Sequence, residues 1–285
     1  MFGFLNVYKP RGLTSHDVVA RVRRAIGIRQ VGHTGTLDPF AEGVLPICVG
    51  KATRLIEYLE DDKAYEGVVK FGAATTTFDL EGEIVKTSLN RVSKEQLETA
   101  LCAFRGKIEQ RPPVYSAIKI NGKKLYEYAR NGEEIEVPMR TVEIFKLELL
   151  EFNEEQQQAR LYIECSKGTY IRSIANDLGE ALGVGGHLVK LIRVKAGEFK
   201  INSTIALYGL DKDIVKANLL SPLEMLKLSR KEISESELNL VKNGMKVLAE
   251  GFNDGEIVLL VKDKTLVSVA QFADGYLIQK KVFLN

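Results

Sequence analysis

Asp38 is the residue of this chain whose setting suits chemistry best. It stands in Val31-Gly32-His33-Thr34-Gly35-Thr36-Leu37-Asp38-Pro39-Phe40-Ala41-Glu42-Gly43, which runs straight into the apolar residues 44–49. Glycines at this density let the backbone approach a ligand closely, and Pro39 disfavours the α region at Asp38, so the carboxylate is held stiffly. A lone carboxylate on such a loop suits a nucleophile or an electrostatic stabiliser better than a paired acid and base. An ordinary Leu-Asp-Pro turn, in which the aspartate bonds nearby backbone, fits the same letters.

Other chemistries fit less well. Gly50-Lys51 invites comparison with a phosphate-cradling loop, but that pattern needs Gly five residues before Gly50 and Ser or Thr after the lysine, where the chain has Leu45 and Ala52. The three histidines, His16, His33 and His187, and the unpaired Cys48, Cys102 and Cys165 offer no ligand spacing, so no metal is expected. Ser15-His16-Asp17 is no triad, because consecutive side chains diverge while triad members converge from distant positions.

The elements that must position Asp38 follow from periodicity. Residues 2–8 read as a strand ending at the Lys9-Pro10-Arg11-Gly12 turn, and Thr14 or Ser15 caps a helix with Val18, Val19, Val22 and Ile26 on one face and Gly27 at its end. Between Lys9 and Arg29 the chain carries six basic residues and one acid, Asp17, directly before the aspartate loop. Contact with nucleic-acid phosphates is the preferred reading of this run, Lys9 included, and a solvated helix face is the alternative. Residues 64–71 read as a strand carrying Tyr65, followed by a hydroxyl-rich loop, and Ser93 to Gln96 is a capping box opening a helix that ends at Gly106. Residues 141–152 and 158–165 alternate as two pairing strands. A helix follows with Ile171, Ile174, Ala175 and Leu178 on one face. Arg172 lies in its first turn, where the helix dipole disfavours a cation, which points to a buried carboxylate partner.

Residues 110–130 interleave basic and aromatic side chains around Asn121-Gly122, a pattern suited to RNA through stacking and phosphate contact, or else an irregular surface insertion with half-buried tyrosines. After residue 234 a short helix and strands at 257–261, 265–270 and 276–283 argue for a small β-barrel-like unit. With 285 residues, 45% of them hydrophobic, the chain suffices for one large domain and one small one. Forty Lys and Arg against 38 Asp and Glu make any nucleic-acid surface a matter of local clustering. The cysteines read as buried free thiols of a reducing compartment. No secretory or membrane-spanning stretch is apparent, and a cytoplasmic protein is expected.

Several of these segments together resemble the TruB-type tRNA pseudouridine synthases. Gly32-His33-Thr34-Gly35-Thr36-Leu37-Asp38-Pro39 with Gly43-Val44-Leu45-Pro46-Ile47 is similar to the family's catalytic motif. Lys63-Ala64-Tyr65 followed by Thr75, Thr77, Asp79 and Gly82 is similar to its second motif, and Cys165-Ser166-Lys167-Gly168-Thr169-Tyr170-Ile171-Arg172 to its third. His187 to Arg193 resembles the next block, with Ile192 where many relatives carry a second arginine.

The resemblance implies an α+β pseudouridine synthase fold, with a mixed, mostly antiparallel central sheet flanked by helices and loops. A catalytic domain over 1–232, with an RNA-contacting insertion at about 106–140, would precede a PUA-like β-barrel over 233–285. It implies isomerisation of uridine to pseudouridine at position 55 in the T loop of tRNA, by base flipping and without cofactor or metal. Asp38 would be the nucleophile, attacking ribose C1′ or uracil C6, and Arg172 its partner. Tyr65 would stack on the flipped base and assist proton removal, His33 would fill the space the base left, and Tyr170 and Leu191 would line the pocket. A monomer without obligatory protein partner is expected; a guide-RNA-dependent synthase and an RNA-folding chaperone are the alternatives.

Overall fold

A computed structural model describes every residue except Ala117, Asn121, Gly132, Glu134 and Asn285, and only the backbone of Tyr126, Ala129 and Arg130. Asn121 of the expected Asn-Gly turn and the Tyr126 and Arg130 side chains of the expected RNA-binding interleave therefore lie outside the described residues.

Strand β1 (Gly3–Lys9) leads into helix α1 (Ser15–Ile26), then β2 (Val31–His33), β3 (Glu42–Val49) and β4 (Lys63–Phe71). Strand β5 (Gly106–Gln110) precedes the long hairpin of β6 (Arg140–Asn153) and β7 (Gln158–Cys165), after which come helix α2 (Ile171–Ala181) and strand β8 (Gly186–Ala196). These strands share one sheet in the order β1-β3-β8-β4-β7-β6-β5, with the short strand Ile205–Ala206 outside β1 and β2 paired onto β3. Strands β3 and β8 run parallel, as do β1 and Ile205–Ala206; the other pairings are antiparallel. The sheet is thus mixed and mostly antiparallel, as expected.

Local sequence accounts for the flanking helices. Thr14 and Asp17 form the capping box of α1, Gly27 ends it in the left-handed region (φ 69°), and Val18, Val19, Val22 and Ile26 pack against β1, β2 and β3. Helix α2 buries Ile171, Ile174, Ala175 and Leu178 against β4 and β8, and a Cβ on Gly179 would stand 2.0 Å from the Gly186 nitrogen, so the helix lies directly on the start of β8. No side chain caps α2 in the usual way. Instead buried Gln110 of β5 accepts from the Tyr170 N–H (2.8 Å) and donates to the Tyr170 carbonyl (3.0 Å). The ends of the expected insertion are therefore strands of the central sheet, since β5 pairs with residues 140–144 of β6.

Three differences from the sequence reading stand out. The central strand β8 was not expected as a strand, because Lys190, Arg193 and Lys195 interrupt its apolar pattern. Ser229–Glu232, expected in the catalytic unit, is an edge strand of a second, five-stranded sheet with Val247–Leu248, Ile257–Lys262, Thr265–Ala273 and Tyr276–Val282. Cys48 and Cys165 are buried free thiols, but Cys102 is exposed.

The second sheet is consistent with a PUA-like unit and has its own core around Val241, Val258, Leu260 and Leu277. Its other face shares a core with the catalytic unit, where Leu259, Val269 and Phe283 pack with Phe4, Cys48 and Leu55. Phe2 stacks on Phe283, and Arg54 donates to the Val282 carbonyl, so the two units meet over an apolar seam with polar ties.

Candidate active site

The loop that carries Asp38 joins β2 to β3 and is held by side chains from three other elements. Ser15 of α1 accepts from the Leu37 N–H (2.8 Å) and donates to its carbonyl (3.2 Å). Lys9 of β1 donates to the carbonyls of Pro39 (3.3 Å) and Ala41 (2.7 Å). Arg193 of β8 donates to those of Gly35 (3.1 Å) and Thr36 (3.3 Å), and beyond the loop to that of Val44 (2.7 Å). Where the loop enters β3, a Cβ on Gly43 (φ 108°) would meet the Arg193 carbonyl at 2.3 Å, so only glycine lets β3 run this close to β8.

Asp38 faces a cavity of about 260 Å³ whose wall also includes Lys63, Tyr65, Tyr170, Arg172 and Leu191. That volume is near the lower end for ligand sites and suits one small flat group rather than an extended molecule. The structure thus brings five of the sequence-derived candidates, Asp38, Tyr65, Tyr170, Arg172 and Leu191, to one place. His33 lies apart on β2, half-buried, with its ring edge-on to His16 of α1 at 5.6 Å between centroids. Burial pushes the His33 imidazolium pKa down, and His16 and Arg193 push it the same way.

Lys9 corrects an expectation. It is fully buried, and its ammonium is taken up by the carbonyls of Pro10, Pro39 and Ala41, which leaves nothing to present to a phosphate. Burial lowers its pKa to about 8 against the pull of nearby Asp38. The lysine is a clamp on the aspartate loop.

Arg172 answers the problem posed by a cation in a helix's first turn. Its Nε lies 2.9 Å from Asp38 Oδ2, in an ion pair whose N–H is not aligned as a hydrogen bond. Its Nη1 donates to Asp79 Oδ2 (3.2 Å) and the Thr77 carbonyl (3.1 Å), and its Nη2 to the Tyr115 carbonyl (3.1 Å). Asp79 is buried and fixed in turn by the Thr77 hydroxyl (2.5 Å) and the Glu81 N–H (3.0 Å). Two carboxylates therefore face one guanidinium. Burial pushes the Asp38 carboxyl above the usual carboxylate range; Arg172 and Lys9 oppose that, and Asp79 adds to it. Since 35% of the Asp38 side chain still faces the cavity, water in the open site tempers the rise, and an occupant that expels it strengthens every charge interaction there.

Tyr65 is 6% exposed and lies beside Arg193 in the β4–β8 register. Burial raises its phenol pKa to about 12, so it is a neutral phenol at ordinary pH. Burial also raises that of Tyr170. The arrangement offers one carboxyl group open to the cavity, a cationic partner, two aromatic rings and an apolar wall at Leu191.

Sequence reasoning quoted Asp79 and Lys63 only as motif residues and missed Gln110 and Arg193 as parts of the site. Asp79 had a signal in its hydroxyl-rich loop. Arg193 closed the His187 to Arg193 block of the resemblance but had no signal of its own, since a basic residue in a broken apolar run looks like surface.

Residues 23–171 match the TruB family pseudouridylate synthase N-terminal domain, and residues 172–226 the tRNA pseudouridylate synthase B C-terminal domain. The chain is 44% identical over 284 residues to tRNA pseudouridine synthase B of Geobacillus thermodenitrificans (strain NG80-2), covering 94% of each chain. It is 41% identical to the protein of the same name from Heliobacterium modesticaldum (strain ATCC 51547 / Ice1), covering 94% of this chain and 90% of that one. Among solved structures, a chain of a Cbf5-Nop10-Gar1 complex superposes with a TM-score of 0.73 at 27% identity, over 99% of this chain and 85% of the other. A chain of an H/ACA RNP bound to a substrate RNA containing 2'-deoxyuridine gives 0.73 at 25%, over 100% and 86%. With an N-terminal-domain match over more than half its length and relatives matched almost end to end, the chain belongs to the TruB family of pseudouridylate synthases.

Proposed function

We propose that this protein isomerises uridine to pseudouridine in tRNA, at position 55 of the T loop, with Asp38 as nucleophile. The observation that carries this reading is the Asp38–Arg172 ion pair at 2.9 Å on the wall of a small cavity shared with Tyr65 and Leu191. The reaction breaks the C1′–N1 glycosidic bond, turns the uracil and forms a C1′–C5 bond, with the C5 proton released and N1 taking up a proton in exchange. Nothing is oxidised and no group leaves the molecule, so the chain's own residues suffice. Asp38 attacks either C1′ or C6, and each route needs an ionised carboxylate, which Arg172 favours against burial.

The cavity admits a base only after it has left its stack, at a cost of a few kcal/mol. Tyr65 and Leu191 would enclose the extruded uracil, with Tyr170 beside it, while His33, outside the cavity, would take the space the base vacated. The segment at 106–140 and the C-terminal unit would contact the tRNA, and the chain would act in the cytoplasm as a monomer without an obligatory protein partner or guide RNA.

The test is tritium release from tRNA labelled at uracil C5, with the modified site mapped, for wild type and Asp38→Asn. Release at the T-loop uridine by wild type alone, without added protein or cofactor, is the expected result. Tight tRNA binding with no release by wild type would instead point to a binding protein or a partner-dependent enzyme.

A further inference from the structure

Arg193 is fully buried, yet it makes no ion pair with a carboxylate among the described residues. A guanidinium deprived of water without a contacting anion is costly unless its N–H groups are satisfied. Here they are, by acceptors in separate segments. Nη2 and Nη1 take the Gly35 and Thr36 carbonyls, just before Asp38, and Nε takes the Val44 carbonyl, just after it. The Tyr65 phenol is its cross-strand neighbour in β4, and the two side chains influence each other electrostatically. A sheet needs no cation at its centre; nearby Leu188 and Leu191 of the same strand are apolar and buried.

We propose that Arg193 is a positioning residue for the reaction, its planar guanidinium spanning both flanks of the Asp38 loop and the Tyr65 phenol so that nucleophile and stacking ring keep one fixed relation across the cavity. The inference rests on the function proposed above. A lysine supplies the charge but not the fork: one ammonium cannot reach carbonyls on both sides of the loop and a phenol together. The role differs from that of Arg172, which touches Asp38 itself. Arg193 makes no contact with the Asp38 carboxylate; it holds the backbone on either side of it and stands next to the ring opposite.

Full-length wild type, Arg193→Lys, Tyr65→Phe and the double variant are compared, each well below its melting temperature. The measurements are tRNA affinity by filter binding and single-turnover tritium release. Displacement of a reacting group by about an ångström costs on the order of 100-fold, so Arg193→Lys is expected to lose at least ~30-fold in rate, with its dissociation constant within ~3-fold of wild type. In the Tyr65→Phe background, where the phenol is gone, the same substitution is expected to cost at least ~5-fold less. A smaller loss in Arg193→Lys, an equal loss in affinity and rate, or an identical penalty in both backgrounds overturns the proposal. Should Arg193→Lys not fold, Arg193→Gln, which keeps two planar N–H donors, is held to the same thresholds. No release by wild type removes the proposed function; release by wild type together with an unimpaired Arg193→Lys removes only this inference.

Discussion

Arg172 meets Asp38 through a single atom. Its Nε stands 2.9 Å from Oδ2, while its two terminal nitrogens are turned to Asp79, Thr77 and Tyr115. The guanidinium is therefore a junction of the aspartate loop, the 75–82 loop, the insertion and α2, and its planarity sets the direction of each contact. An ammonium cannot serve these directions together. Breaking a buried pair costs about 3–5 kcal/mol, or roughly 150- to 5000-fold; Arg172→Lys keeps a charge and loses the geometry, and is expected to lower turnover by roughly 100- to 1000-fold in the tritium-release assay. Near wild-type turnover would sink the pairing as a catalytic feature.

Asp79 predicts a second, smaller effect. Asp79→Asn preserves shape and the Glu81 N–H contact but removes the second anion facing Arg172. Single-turnover rate is expected to fall by about 10- to 100-fold, in keeping with loss of a charged hydrogen bond worth about 1.5–3 kcal/mol. Affinity for tRNA should hold, since Asp79 is buried away from the surface. Equal rates in variant and wild type would reduce Asp79 to a loop-folding residue.

The two aspartates and two cations also fix a pH signature. With Asp38 attacking as the anion, as in the proposed function, the rate rises with pH through its pKa, which burial places above the usual carboxylate range. Arg172 and Lys9 lower that pKa and Asp79 raises it. The acid limb of single-turnover rate is therefore expected at higher pH in Arg172→Gln and at lower pH in Asp79→Asn. Shifts of the same sign in both variants would contradict the charge arrangement.

Much of this was legible in the letters, for identifiable reasons. Thr14, Asp17 and Gly27 bracket α1, and the alternation in residues 158–165 marks β7, because caps and period-2 burial are local rules. Arg172 announced its partner by standing in a helix's first turn. Strand β8 and its Arg193 were not legible, because they depend on β3 and β4 closing over that strand, a tertiary fact with no short-range trace. Lys9 was misread for the same reason: one basic residue in a basic run looks exposed until the loop 30 residues later folds over it. Gln110, which holds the start of α2 from another strand, is likewise visible only in three dimensions.

Lys9 separates a clamp from a phosphate contact. Lys9→Met leaves buried carbonyls at Pro39 and Ala41 without their donor, at about 1–3 kcal/mol for an unsatisfied buried group, and should lower the melting temperature measurably. The salt dependence of tRNA binding should not change, whereas loss of a true phosphate contact would reduce its slope by about one. A reduced slope at unchanged melting temperature would restore the surface reading.

Tyr65 decides how much of the chemistry lies beyond Asp38. With its pKa raised to about 12, the phenol is protonated in the free protein, and Arg193 is its cross-strand neighbour. Tyr65→Phe keeps the ring and removes only the phenol oxygen, so tRNA affinity should stay within about threefold, because stacking is sequence-tolerant and needs only the π-face. Single-turnover rate is nevertheless expected to drop by about 100-fold, within the range for a group that assists proton transfer. The loss should fall on C5 proton release, which tritium reports directly. Tritium release at the wild-type rate would leave stacking as the whole role of Tyr65, and would move proton removal to another group or to water in the cavity.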